Sequence, residues 1–259
     1  MIDPGLVAQT FMDVNAGITD PKTMKDFEGV VVDEKMPTGF ELTILGDRTS
    51  SMQLGNKIQA QRQCGLLIME AMNEFSEMIN QEGLLMPELG VRTEVGSFGG
   101  SPDHTEISKP LSGELTEQQR IAVFKALAKC DSKVNNEHEI FDKIHQSVLE
   151  EGRRDPTYLQ RIKSGKLKKF ILVLTDGEVG NYKATRASIQ KLRNLGIVVA
   201  GLGMTAEGKD AEKTYAPDGK VCYDVSKLSK TILDLLLNYL ESLSKTGKLE
   251  DVDNGELLE

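Results

Sequence analysis

Residues 168–178, KKFILVLTDGE, constrain the fold of this chain more than any other stretch. Phe170 to Leu174 is an uninterrupted apolar run with no alternation of polar residues. A strand of that kind must be covered on both faces, which is the situation of a central strand in a parallel sheet flanked by helices. The run stops abruptly at Thr175-Asp176-Gly177, so the strand delivers a carboxylate to its C-terminal end. Parallel neighbours require crossover connections of a dozen residues or more, and 259 residues are ample for several of them.

The rest of the chain supplies those connections. FELTIL, ending at Leu45, is a second compact β-prone run. Leu54, Ile58, Gly65, Ile68, Met72, Phe75 and Ile79 then recur at helical spacing and predict a helix over about 52–81. QEGLLMPELG breaks it, and VRTEVGSF predicts another strand. Residues 99–114 form a Gly/Pro/Ser loop with room for a short strand; Asp103, His104 and Thr105 within it would lie at the same sheet end as Asp47. Helical patterns follow in TEQQRIAVFKALAKC, where Thr116 and Gln119 have capping-box spacing, and in NEHEIFDKIHQSVLEEGRR. After KKFILVLTDGE come a helix over about 182–194, the strand GIVVAGLGM, a short strand KVCYDV and a last helix, LSKTILDLLLNYLESL. Strands alternating with helices at this period predict a three-layer α/β/α sandwich, mostly parallel with one antiparallel edge strand. Residues 1–37 read as a peripheral segment, with GVVV at 29–32 a candidate edge strand. Residues 38–246 form one domain, and 247–259 a polar tail.

In an open parallel sheet the ligand site lies beyond the carboxyl ends of the strands. Two strands here end in aspartate, Asp47 in ILGDRTSSM and Asp176 in ILVLTDGE. Two carboxylates at neighbouring strand ends repel unless a cation sits between them. Thr49 and Ser51 add neutral oxygens on alternate residues after Asp47. Two acids with hydroxyls suit Mg²⁺, which takes about six oxygens and keeps several as water. Each piece also has an ordinary explanation: Ser51 as the cap of a following helix, and Asp-Gly as a turn after a strand. The combination, after two different strands, points to a metal.

ILGDRTSSM resembles the Asp-x-Ser-x-Ser-Met motif of von Willebrand factor A (vWA) domains, with Thr49 at the place of the first serine, and ILVLTDGE resembles their Thr-Asp-Gly strand end. The resemblance spans residues 38–246. It implies a Rossmann-like sandwich with a metal-ion-dependent adhesion site (MIDAS) that recruits a partner's Asp or Glu carboxylate through Mg²⁺ or Mn²⁺. The ligands it implies are Asp47, Thr49, Ser51 and Asp176. The family's remaining threonine has no clear match; Asn135, in DSKVNNEHEIFDKI, stands near that place, and Thr105 is a second candidate. Few cysteines and Asn-Asn-Glu in place of Gly-Gly-Thr resemble the intracellular branch, the domains of chelatase subunits and MoxR-associated proteins, which implies an AAA+ ATPase as partner.

Other local matches lack their context. Gly46-Asp47-Arg48 has an arginine where a hydrolase needs its nucleophilic serine, and Asp142/His145 are neighbours three apart on a helix. A phosphotransferase using Asp47 as nucleophile would want a second acid at position 49; that enzyme is the alternative reading, with a structural domain carrying a vestigial site as a third. GLGMTA precedes a charged stretch rather than a cofactor-binding helix, so its glycines are read as letting the chain leave the sheet tightly. DVDNGELLE lacks the closing glutamate of a calcium loop. The net charge of −9 disfavours a nucleic-acid partner. No run approaches a membrane span, and MIDPGLVAQTFMD lacks the form of a signal peptide. Cys64, Cys130 and Cys222 are too few and too scattered for a disulfide framework or a zinc site, so the expected setting is cytoplasmic.

Overall fold

The computed structural model describes residues 37–82, 90–100, 105–177, 179–228, 230–232 and 234. The GVVV segment, Asp103, His104 and the polar tail lie outside the described residues, as does most of the last helix, whose described start holds Leu228 and Ile232.

Six strands make one sheet: β1 (Gly39–Asp47), β2 (Gly90–Phe98), β3 (Glu106–Ser112), β4 (Leu167–Thr175), β5 (Val198–Met204) and β6 (Gly219–Cys222). Their spatial order is β3-β2-β1-β4-β5-β6. All pairs are parallel except β2 with the edge strand β3. The antiparallel edge strand therefore lies inside the loop at 99–114. β1 and β4 are central, and each is buried along nearly its whole length. That is why both read as apolar runs rather than as alternations.

Alternate residues of β1 feed two cores. Phe40, Leu42 and Ile44 pack with Cys64, Ile68 and Met69 of α1 (Lys57–Glu82) and Val123 of α2 (Glu117–Ala126). Leu45 packs on the other face with Ile171, Val173 and residues of α3 (Glu137–Arg154), α4 (Pro156–Lys163) and α5 (Tyr182–Arg193). The described residues thus form the three layers the strand pattern requires. Thr116 and Gln119 close a reciprocal capping box on α2.

Two expectations change. The helix after β1 begins at Lys57, not near 52, because Gly55 and Asn56 adopt positive φ of 64° and 60°. Residues 50–56 form a kinked 3-10 turn instead, and Leu54 is exposed rather than part of the buried stripe. The glycines of GLGMTA lie within β5 rather than beyond it: a Cβ at Gly201 would strike the Tyr215 ring, and one at Gly203 the backbone of Gly208 in the turn by which the chain leaves the sheet. Only a short turn and α6 (Asp210–Thr214) follow, so no cofactor-bearing helix opens there.

Candidate metal centre

Parallel register carries β1 and β4 side by side to Asp47 and Asp176, which lie at the same end of the sheet. Asp47 is fully buried and Asp176 nearly so. The backbone of Asp47 is clamped by one side chain: its N–H donates to Gln61 Oε1 at 3.0 Å, and Gln61 Nε2 donates back to its carbonyl at 3.0 Å. Gly46 leaves the space for that amide. Asp47 Oδ1 accepts from the Thr49 N–H at 2.7 Å; Oδ2 accepts from the Thr175 hydroxyl at 2.8 Å and from Asn135 Nδ2 at 3.4 Å. The Thr175 hydroxyl in turn accepts from the N–H of Gly177, at φ 92°. The Thr-Asp-Gly sequence is therefore a turn and a site element at once.

The hydroxyls are not caps. Thr49 occupies the N-cap position of the 3-10 turn but makes no side-chain cap bond. Its oxygen lies 3.0 Å from Ser51 Oγ. Ser132 holds the opposing loop against this one: Ser50 N–H donates to its carbonyl, its N–H donates to the Arg48 carbonyl, and its hydroxyl accepts from Gly100 N–H. That lacing brings Asn135 onto Asp47. Thr105 stands immediately before the edge strand β3, and its buried hydroxyl has no hydrogen-bond partner among the described residues.

The electrostatics are those of crowded acid. Burial, with the Asp176 carboxylate beside it, pushes Asp47 up to about 6 despite its hydrogen bonds. Burial, helped by Asp47 and Asp176, drives Glu137 to about 8 against the pull of the Tyr215 hydroxyl. Glu137 is therefore protonated at neutral pH and adds no negative charge. Burial, with Asp47, Asp131 and Asp176 nearby, pushes the Cys130 thiol up to about 11, so it is protonated in the metal-free protein. Asp176 Oδ2 faces Lys57 Nζ at 3.5 Å, and that ammonium also pairs with Glu207 at 2.5 Å. Asp176 Oδ1 is buried with no hydrogen-bond partner among the described residues.

No protein-family model and no curated protein matches this sequence. Solved structures do match the fold. Proximal thread matrix protein 1 from the mussel byssus, solved with a zinc-occupied MIDAS motif, aligns with a TM-score of 0.52 at 16% identity. The alignment covers 77% of this chain and 48% of the mussel protein. The pilus adhesin SpaC of Lactobacillus rhamnosus GG, in its open conformation, aligns with a TM-score of 0.54 at 13% identity, over 81% of this chain and 30% of its own. The fold is vWA-like. The chain spans about half the length of the mussel protein and less than a third of the adhesin.

Within this vWA-like domain the donor set fits a hard divalent ion. It offers two carboxylates, a pair of hydroxyls and an amide at one strand end, together with a buried carboxylate oxygen that lacks a partner. Among the described residues no group of three or more His, Cys, Asp or Glu is placed to hold a metal, so any ion there leans on neutral oxygens, as the Asp-x-Thr-x-Ser spacing implies.

Sequence reasoning missed Lys57, Gln61, Glu137 and Glu207. A signal existed for the first two. Lys57, Gln61, Cys64 and Ile68 lie at i, i+4, i+7 and i+11, so the buried stripe of α1 begins with two polar residues. Nothing local marked Glu137 or Glu207 as site residues.

Proposed function

We propose that this domain binds a protein partner through a divalent ion, Mg²⁺ or Mn²⁺, held at the ends of β1 and β4. Asp47, Thr49, Ser51 and Asp176 would hold the ion, with Asn135 completing the shell or orienting a water. The ion would supply a Lewis-acidic position for an Asp or Glu carboxylate of the partner. One observation carries this reading: Asp176 keeps a buried carboxylate oxygen without a hydrogen-bond partner among the described residues, beside a second buried acid. Even with the Lys57 ammonium beside the other oxygen, a buried carboxylate oxygen left without a hydrogen bond carries a desolvation cost that a ligand would offset. A vestigial site would be expected to have closed its hydrogen bonds.

Because Thr49 and Ser51 are neutral, two carboxylates are all the formal charge the ligand set gives the ion. That leaves the ion able to accept another carboxylate. The zinc-occupied MIDAS motif of the mussel protein, which shares this fold, supports a metal-binding reading. The proposal of an AAA+ ATPase as partner rests on the resemblance to chelatase-type domains alone, and that of a cytoplasmic setting on the few, scattered cysteines. No helix among the described residues is long and apolar enough to cross a membrane.

The phosphohydrolase alternative fits the geometry less well. Asp47 is wholly buried, and position 49 offers a threonine where such an enzyme wants a second acid. A nucleophile must reach its substrate.

Calorimetric titration with Mn²⁺ and Mg²⁺ tests the ion, and affinity capture in Mg²⁺ against EDTA tests the partner. Asp47→Ala should abolish both, while the metal-free variant stays within about 1 kcal/mol of the parent: relief of repulsion with Asp176 offsets the lost hydrogen bonds. Capture that persists in EDTA, or in that variant, would end the metal reading.

A further inference from the structure

Lysine resists burial, yet Lys57 is only 2% exposed. Its ammonium lies in the metal centre, 3.5 Å from Asp176 Oδ2 and 2.5 Å from Glu207 Oε2. It enters from the first turn of α1, and Glu207 comes from the 3-10 turn after β5. Three strand-end segments therefore meet at one nitrogen. We propose that Lys57 is a tethered cation that competes with the divalent ion for Asp176, and that Glu207 is the seat its ammonium falls back on when the ion takes that carboxylate. The inference rests on the metal reading above.

Three features support it. Asp176 is divided: one oxygen faces the ammonium, and the other is buried without a hydrogen-bond partner among the described residues. The carboxylate is thus held but not saturated. Next, the charge balance suits coexistence. Glu207 offsets Lys57, so the carboxylates of Asp47 and Asp176 remain for a divalent ion. The ion need not expel the lysine; it only has to take Asp176 from it. Finally, Glu207 is well placed for the exchange. Its side chain is 70% exposed, and it already makes the closer contact with the ammonium. The flexible four-carbon stem of a lysine lets the charge shift between two carboxylates without backbone movement.

Two consequences follow. Lys57 stabilises the metal-free domain by neutralising Asp176, and it weakens ion binding because the ammonium must give that carboxylate up. Ion occupancy is also coupled to the turn that carries Glu207.

Mn²⁺ titration calorimetry on the full chain, alongside thermal unfolding in EDTA, separates these possibilities. Lys57→Met keeps the stem and removes the charge. It should bind Mn²⁺ about tenfold tighter or more, as expected for removal of a competing like charge. Its Tm in EDTA should fall, and the rise in Tm on adding Mn²⁺ should exceed that of the parent. Glu207→Gln alters an exposed side chain and should act in reverse: Lys57 then leans on Asp176 alone, and Mn²⁺ affinity drops several-fold. If Lys57→Met does not fold by circular dichroism, Glu207→Gln decides the matter by itself. Affinities within twofold of the parent in both variants, or weaker binding in Lys57→Met, overturn the competitor role and leave the metal reading standing. If neither parent nor Lys57→Met binds millimolar Mn²⁺, the metal reading fails and this inference with it.

Discussion

β1 buries an acid near each end on the same face: Glu41 close to its start and Asp47 at its close, six residues apart. At the first, Lys169 Nζ and the Tyr158 hydroxyl both donate to Glu41 Oε2 at 2.8 Å, and Arg92 pairs with Oε1. Arg92, Glu41 and Lys169 stand in register across β2, β1 and β4. Burial pushes the Glu41 carboxyl upward, but Lys169, Arg92 and Tyr158 outweigh it and hold it below the usual range. At the other end, burial and a second acid win, and Asp47 is pushed up to about 6. One strand face thus carries a closed charge cluster and an open one. The lesson is that burial of charge does not by itself mark a site; incomplete pairing does. The closed cluster ties three strands to α4, and the open one keeps Asp176 Oδ1 without a hydrogen-bond partner among the described residues.

The largest effect that could break this contrast is at the closed end. Lys169→Met strands Glu41 with too few partners and should cost about 3–5 kcal/mol in urea unfolding, with Mn²⁺ affinity unaltered. A loss below about 1 kcal/mol would mean that Arg92 and Tyr158 complete Glu41 without Lys169.

The pH dependence comes next. In metal-free protein, Asp47 and Glu137 have folded pKa values raised above their unfolded ones, so the native state binds more protons than the unfolded state over about pH 4–8. Stability therefore falls as pH rises through that window, by up to about 3 kcal/mol from Asp47. Glu41 acts oppositely: its lowered pKa contributes stability above about 4.5 that is lost as pH falls. Saturating Mn²⁺ should cancel the Asp47 loss. Below about pH 6 a proton competes with the ion on Asp47, and Mn²⁺ affinity should drop about tenfold per pH unit. Denaturant titrations at pH 5, 6, 7 and 8 with and without Mn²⁺ check both signs.

The smallest effect sharpens the closed end. Tyr158→Phe removes one hydrogen bond from Glu41 while Lys169 and Arg92 remain, and should cost about 1 kcal/mol with no change in Mn²⁺ affinity. A loss near that of Lys169→Met would make the hydroxyl, rather than the ion pair, the linchpin.

Much of the fold was legible because its signals are local. The apolar run before Thr175 requires a strand covered on both faces, and it is one. Thr116 and Gln119 form the capping box that their spacing implies. Asp47 and Asp176 sit at the ends of adjacent strands because two uninterrupted apolar runs, each ending in an acid, both belong at the centre of a parallel sheet. The misreadings were local as well. Leu54 fits a helical stripe by spacing, but Gly55 and Asn56 break the helix before it starts.

What the sequence by itself determined is the α/β/α class, the two carboxylate-bearing strand ends and the hydroxyl spacing between Asp47 and Ser51. Each depends on neighbours within one turn or one strand. Only the tertiary structure decided that Lys57 reaches Asp176, that Gln61 clamps Asp47, and that Glu137 lies beneath them as a neutral acid. Periodicity reports that a segment is buried, not which distant segment it meets. The pairing of charges 119 and 150 residues apart exists only once the sheet has brought its C-terminal ends together.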